Sequence, residues 1–259
     1  MALCVRFVKM NPVSFTSDIS YIPANRGFRR AGRMLAGARP YLEKRFYPDF
    51  DRRLCLAKGA FARQRSTVPV ARHRTSRAGL GHGKAVDIQI GKMVSLLVTH
   101  SLPTRFFASS AFRSTYRCSP ALKAKCKRLL KDTQTFFLVM ARLGLSPVAT
   151  QVKVASPTTD VATACDVVAR NVHGEFLVIE VKTGHWDYLN RSNSPFKTIT
   201  PPLPNSTRNQ HLLQLALTHH LFVLTHQRKC AAPLLVRLSD GKFQTETVPR
   251  SLMLSVASI

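Results

Sequence analysis

The chain has 259 residues, with 39 Lys and Arg against 13 Asp and Glu, a formal net charge of +26 and a sequence pI near 10.9. A field of that sign attracts polyanions, of which nucleic acid is the usual one. No apolar run reaches the length of a bilayer span and the first residues lack a signal-peptide layout, so no membrane span is expected; the apolar piece 93–98 is too short and is followed by His100 and Pro103.

Six cysteines, Cys4, Cys55, Cys118, Cys126, Cys165 and Cys230, include no C-x-x-C pair. Neither a disulfide framework nor a zinc finger is expected, and reduced thiols in cytosol or nucleus are. The histidines do not supply a zinc site either. His219 and His220 are adjacent on a helical stretch and point to different faces, while His173 and His211 lack nearby Cys partners.

At this length the expectation is one folded domain over residues 84–259, preceded by a basic, partly disordered extension over 1–83. Residues 26–77 are crowded with Arg, Gly and Pro and show weak periodicity, with one short helix expected over 41–61. Such a segment suits nucleic-acid contact, nuclear import or plain solvation. From Gly83 onward, Val86, Ile90, Met93, Val94 and Leu97 fall at helical spacing and predict an amphipathic helix over 85–100. Ser119-Pro120 opens a second helix that runs to Leu143 and stops at Gly144. Its first half, K-A-K-C-K-R-L-L-K, is basic; its second, T-F-F-L-V-M-A, must be buried. Strands follow over 148–154, 162–171 and 175–183, then a long loop over 186–204 and a helix over 209–224. Strands over 234–238 and 243–248 around the Asp240-Gly241 turn close the chain. The order predicts an α/β fold with a mixed sheet flanked by helices.

Residues 164–183 concentrate the chemistry. They read as two β-branched strands joined by a His173-Gly174 turn, with Asp166 on the first strand and Glu180 and Lys182 near the end of the second. Alternation puts Glu180 and Lys182 on one face, and the hairpin returns Asp166 to within about a residue of Glu180. Two carboxylates and the Val181 carbonyl are oxygen donors of the kind Mg²⁺ prefers, and Lys182 is placed to orient or deprotonate an attacking water and offset charge on a phosphate. The alternative is a strand end carrying a surface Glu-Lys pair, but the run F-L-V-I ahead of Glu180 is apolar on both faces, where unpaired charge is costly.

Asp166, a thirteen-residue gap, Glu180-Val181-Lys182 and the following Gln-bearing helix together resemble the PD-(D/E)XK nuclease superfamily. More narrowly, V-I-E-V-K-T after C-D-V-V is similar to the herpesvirus core family encoded by unique-long gene twenty-four, and a gammaherpesvirus member fits best. Ala31-Gly32 or Ala36-Gly37, followed by Arg45-Phe46-Tyr47, is a loose counterpart of that family's opening A-G and F-Y pattern. The resemblance is specific over about 148–224 and weak before Gly83. It implies a PD-(D/E)XK endonuclease-like fold, Asp166 and Glu180 as ligands of Mg²⁺ or Mn²⁺, Lys182 as the catalytic lysine, and Gln210 or Gln214 against substrate or water. The two glutamines are four apart and share a helix face. In two places the sequence departs from the superfamily. Cys165 stands where a Pro precedes the first Asp, and the helix ahead of the sheet lacks its glutamate, Asp132 being a weak substitute. The resemblance also implies residence in the host nucleus and nucleolus and to some extent the cytoplasm, virion association, cell-cycle arrest and dispersal of nucleolar proteins.

Two functions compete. One is a metal-dependent endonuclease acting on nucleic-acid phosphodiesters through Asp166, Glu180 and Lys182. The other is a non-catalytic nuclear interaction protein that keeps the fold and binds nucleic acid or host nucleolar and cell-cycle proteins. Charges converging at the end of a central strand favour the first.

Overall fold

The β-branched stretches at the centre of the sequence pair with one another and set the frame. The computed structural model describes residues 13–22, 27–46, 75–100, 123–183, 195–204 and 206–257, with the side chains of 75–80 and 123–126 outside that description. In chain order the elements are β1 (Ile19–Ile22), β2 (Gly27–Arg30), β3 (Arg33–Gly37), α1 (Ala38–Arg45), α2 (Thr75–His100) and α3 (Lys123–Arg142). They continue with β4 (Ser146–Ala155), β5 (Val161–Arg170), β6 (Phe176–Thr183), α4 (Thr207–His226), β7 (Leu234–Ser239), β8 (Lys242–Thr247) and α5 (Arg250–Ala257).

β4, β5 and β6 form an antiparallel meander; α4 then carries the chain back so that β7 lies parallel to β6, and β8 returns beside β7. The Asp240-Gly241 turn has positive φ at both residues, 51° and 76°, as a two-residue hairpin turn of right-handed twist demands. β5 is the pivot. β4 runs along one edge of it from Ala162 to Arg170, while β3 pairs parallel only with Val161 and Ala162 and β6 only with 167–170. Between β3 and β6, residues 163–166 of β5 have no strand partner on that edge among the described residues, and Asp166 lies in that gap.

Helices cover both faces. α4, with α1 and α5, packs Leu212, Ala216 and Phe222 onto Val178 and Leu235, together with Leu42 and Phe46. On the other face α2 and α3 pack Val86, Ile90, Phe136, Phe137 and Met140 onto Ile179, Val181 and Val236. Each such Phe or Leu, when fully buried, contributes about 1.5–3 kcal/mol. α3 stops at Gly144, φ 65°, where the Gly144 N–H donates to the Ala141 carbonyl (3.2 Å) and the Leu145 N–H to that of Met140 (2.9 Å), a Schellman closure that drops the chain into β4.

The mixed α/β architecture agrees with the sequence reading, and its early part departs from it. Residues 27–40, expected to be irregular, form β2, β3 and the start of α1, which runs on into the first residues of the helix expected over 41–61 and sends Leu42 into the core. Short strands bearing Arg on their solvent side hide the period-two signal; the clue was R-R-A-G-R, in which Ala31 (φ 46°) and Gly32 (φ 81°) make the hairpin turn. α2 begins ten residues before the expected Ala85, and α5 follows the last strand. The expected helix beyond Phe46, Tyr47 of the A-G and F-Y pattern, the Ser119-Pro120 helix start and the Trp186 part of the long loop lie outside the described residues. Among the described residues no helix is long and apolar enough to cross a membrane.

Candidate active site

The site grows out of the β5–β6 hairpin. At its turn Asn171 Oδ1 accepts from the N–H groups of His173 (3.0 Å) and Glu175 (2.9 Å), with Gly174 at φ 82°. That turn sets the register Val168 to Val178 and Val167 to Ile179, where the ladder ends. One step further the same register puts Asp166 opposite Glu180. There the strands part, and the Val181 N–H donates to Asp166 Oδ2 at 3.0 Å instead of to a backbone carbonyl. The N–H and C=O of one strand residue face the same edge, so the Val181 carbonyl also faces this gap.

Glu180, only 2% exposed, points to the α4 side. Its Oε1 accepts from Lys182 Nζ and, at 3.0 Å, from Gln214 Nε2. The Lys182 side chain is 29% exposed, whereas that of Glu180, to which it donates, is 2% exposed. Burial pushes the Asp166 carboxyl well above the usual carboxylate range, the neighbouring Glu180 adding to it and Lys182 working against it. For Lys182, burial disfavours the ammonium, but the Glu180 and Asp166 carboxylates outweigh it and hold the group above its ordinary value. Lys182 therefore remains a cation at neutral pH.

Of the predicted site residues, Asp166, Glu180, Val181, Lys182 and Gln214 come together. Gln210 lies one turn earlier on α4, half-buried on the same side of the helix. The sequence reading missed Asp87. This half-buried residue of α2 feels the charges of Lys182 and Glu180, and burial raises its carboxyl to about 6. It reaches the site because α2 lies close to the sheet. A Cβ on Gly83 would sit 2.8 Å from Thr183 Oγ1 and one on Gly91 3.4 Å from Thr150 Oγ1. Gly83, Asp87 and Gly91 recur every four residues, one helix face, and an acid between two glycines on the buried side was the signal. Asp132, a weak substitute for the missing helix glutamate, makes structural contacts. It is fully buried, faces His82 Nε2 at 2.8 Å and accepts from the Gly241 N–H at 2.7 Å, tying α2 and α3 to the β7–β8 turn.

The donor set suits a hard divalent cation. Asp166 and Glu180 are pressed together, and each has a second carboxylate oxygen beyond the one engaged above. Among the described residues no three His, Cys, Asp or Glu side chains make a closed cage; Mg²⁺ commonly uses one or two carboxylates and keeps several waters.

No family model matches the chain, and no curated protein matches it. Among solved structures, the crystal structure of SSO0001 is similar at 15% identity over 67% of this chain and 82% of that one, with a TM-score of 0.27. A likeness of that size bears on neither fold family nor chemistry.

Proposed function

We propose that this protein is a metal-dependent phosphodiester-cleaving enzyme of the PD-(D/E)XK type, acting on nucleic acid. The observation that carries the reading is the parting of β5 and β6 at Asp166, which gathers two carboxylates, a backbone carbonyl and an ammonium at one sheet opening. The element order from α3 to β7, helix, three strands, helix, strand, supports that fold type. The likeness of C-D-V-V and V-I-E-V-K-T to the herpesvirus family encoded by unique-long gene twenty-four extends the proposal to a viral protein of the host nucleus and nucleolus.

Asp166, Glu180 and the Val181 carbonyl would hold Mg²⁺ or Mn²⁺, which when bound polarises a phosphoryl oxygen and acidifies a water. Lys182, kept protonated by its two carboxylate neighbours, donates to the phosphate oxygens as negative charge gathers on them. Gln214 fixes the Glu180 rotamer through Oε1, and Asp87, which feels the charge of Lys182, would hold the attacking water. The non-catalytic alternative draws on one observation: Glu180 Oε1 already takes hydrogen bonds from Lys182 and Gln214, as it would in a structural network.

Labelled DNA and RNA, single- and double-stranded, incubated with and without Mg²⁺ separate the two. Wild type should cut in Mg²⁺ and gain melting temperature from it; Asp166→Asn should lose roughly 100-fold or more of the cleavage and all of the thermal gain, while folding at least as well without metal. An uncut substrate, no Mg²⁺ effect on wild type and a destabilised Asp166→Asn would make the carboxylates structural.

A further inference from the structure

On the α4 face, one strand beyond Lys182, stands a buried cation with no part in the chemistry above. Arg237 of β7 is in register with Lys182, two residues from Leu235, which packs into the α4 core, and is 4% exposed. Among the described residues its Nε and Nη2 have no hydrogen-bond partner. Glu246 Oε2 is 3.8 Å from Nη2, too far for a hydrogen bond, and both Glu246 oxygens already accept from Arg208, through Nε at 3.0 Å and through Nη2. A buried guanidinium with unmet donors is costly unless an anion completes it.

α4 lines the same place. Arg208, His211 and Gln214 follow at three-residue steps along one face, spanning about 9 Å of helix rise. The Gln214 end meets Glu180, and the Arg208 end meets Glu246. Between them His211 has a buried Nδ1 without a partner among the described residues. Burial, with the charges of Lys182, Arg237 and Arg39, lowers His211 to about 3, so the ring is neutral in a field of positive charge.

We propose that Arg237, Arg208 and His211 form a phosphate subsite beside the candidate cleavage centre, holding a neighbouring backbone phosphate of the polynucleotide. The choice of a polynucleotide rests on the nuclease reading. Glu246 stands in for the anion. An arriving phosphate replaces it on Arg208, whose side chain is 41% exposed, and accepts from the donors of Arg237 in the fork geometry that guanidinium groups favour. The helix stripe places this phosphate on the scale of a nucleotide step from Glu180.

The test is anisotropy of a labelled single-stranded DNA of about 20 nucleotides in EDTA, over about 50 to 200 mM salt. Arg208→Gln, on the rim, should weaken binding about 3- to 10-fold and flatten the salt dependence by about one phosphate contact. Arg237→Gln should do the same, and Arg237→Lys should keep the salt slope but not the affinity. Lys229→Gln, at the opposite end of β6 and 82% exposed, should leave the slope as in wild type. Melting curves accompany each variant, and if Arg237→Gln unfolds, Arg208→Gln decides alone. Wild-type slope in Arg208→Gln, or in a folded Arg237→Gln, overturns the subsite. Cleavage by wild type is scored separately: flattened slopes without cleavage overturn the enzyme and keep the subsite, whereas cleavage with unchanged slopes does the reverse.

Discussion

At Asp87 the physics of one residue can be read through pH. Its carboxyl binds a proton more tightly in the folded protein, about 6 against an ordinary 3.8, so ionising it opposes folding. The penalty is absent below the ordinary value, grows as pH rises and is complete above about 6, where it amounts to at most about 3 kcal/mol. Asp87→Asn should therefore raise the melting temperature of the metal-free protein at neutral pH, and the gain should shrink as pH falls from about 6 towards 4. Buried histidines work in the opposite sense. His211, lowered to about 3, favours unfolding as it is asked to protonate below its ordinary 6.5. Comparing mutant with wild type at each pH cancels that contribution. A gain that is the same at every pH would mean that Asp87 is not held in the desolvated place beside Lys182.

At the scale of elements, the approach of α2 to the sheet decides whether Asp87 arrives at all. Gly81 and Gly83 lie in the same helix, yet a Cβ on Gly81 meets nothing within 4 Å while one on Gly83 meets Thr183 Oγ1 at 2.8 Å. Replacing a helical Gly by Ala favours the helix by about 0.5–1 kcal/mol when space permits. Gly81→Ala should thus stabilise by that amount. Gly83→Ala should forfeit the gain or lose about 1 kcal/mol, and adding Thr183→Ala should restore it. Denaturant melts of the three proteins check the contact. Equal stabilisation by both single changes would place α2 farther from the end of β6 than that contact allows.

For the whole molecule the governing quantity is charge. With a net +26, association with DNA or RNA should be mainly electrostatic, tolerant of sequence, and weaken steeply with salt, by about 0.7 to 0.9 in log-log slope for each phosphate neutralised. Titrations of two unrelated sequences at several salt concentrations test this. Binding that ignores salt, or none at low salt, would remove nucleic acid as the partner. Against that excess, three of the chain's 13 acids, Asp87, Asp166 and Glu180, are gathered around the one ammonium of Lys182.

Local order alone carried the hairpin at 164–183, because period-two patterning and a Gly turn specify which residues oppose one another; Asp166 and Glu180 met as that register required. The helix stop at Gly144 and the Asp240-Gly241 turn were equally readable, since each needs positive φ at a particular residue. Other features were decided by tertiary packing. β1–β3 exist because Ile19 and Leu35 find Ala155 and Ala162 to cover them, a burial that four- and five-residue segments rich in Arg do not announce. Asp87 and Asp132 look alike in sequence, each an acid on a helix ahead of the sheet. One faces the gap at Asp166 and Glu180 and the other a buried histidine because Gly83 and Gly91 let α2 settle onto β6 and β4, and close approach between distant segments has no periodicity to reveal it.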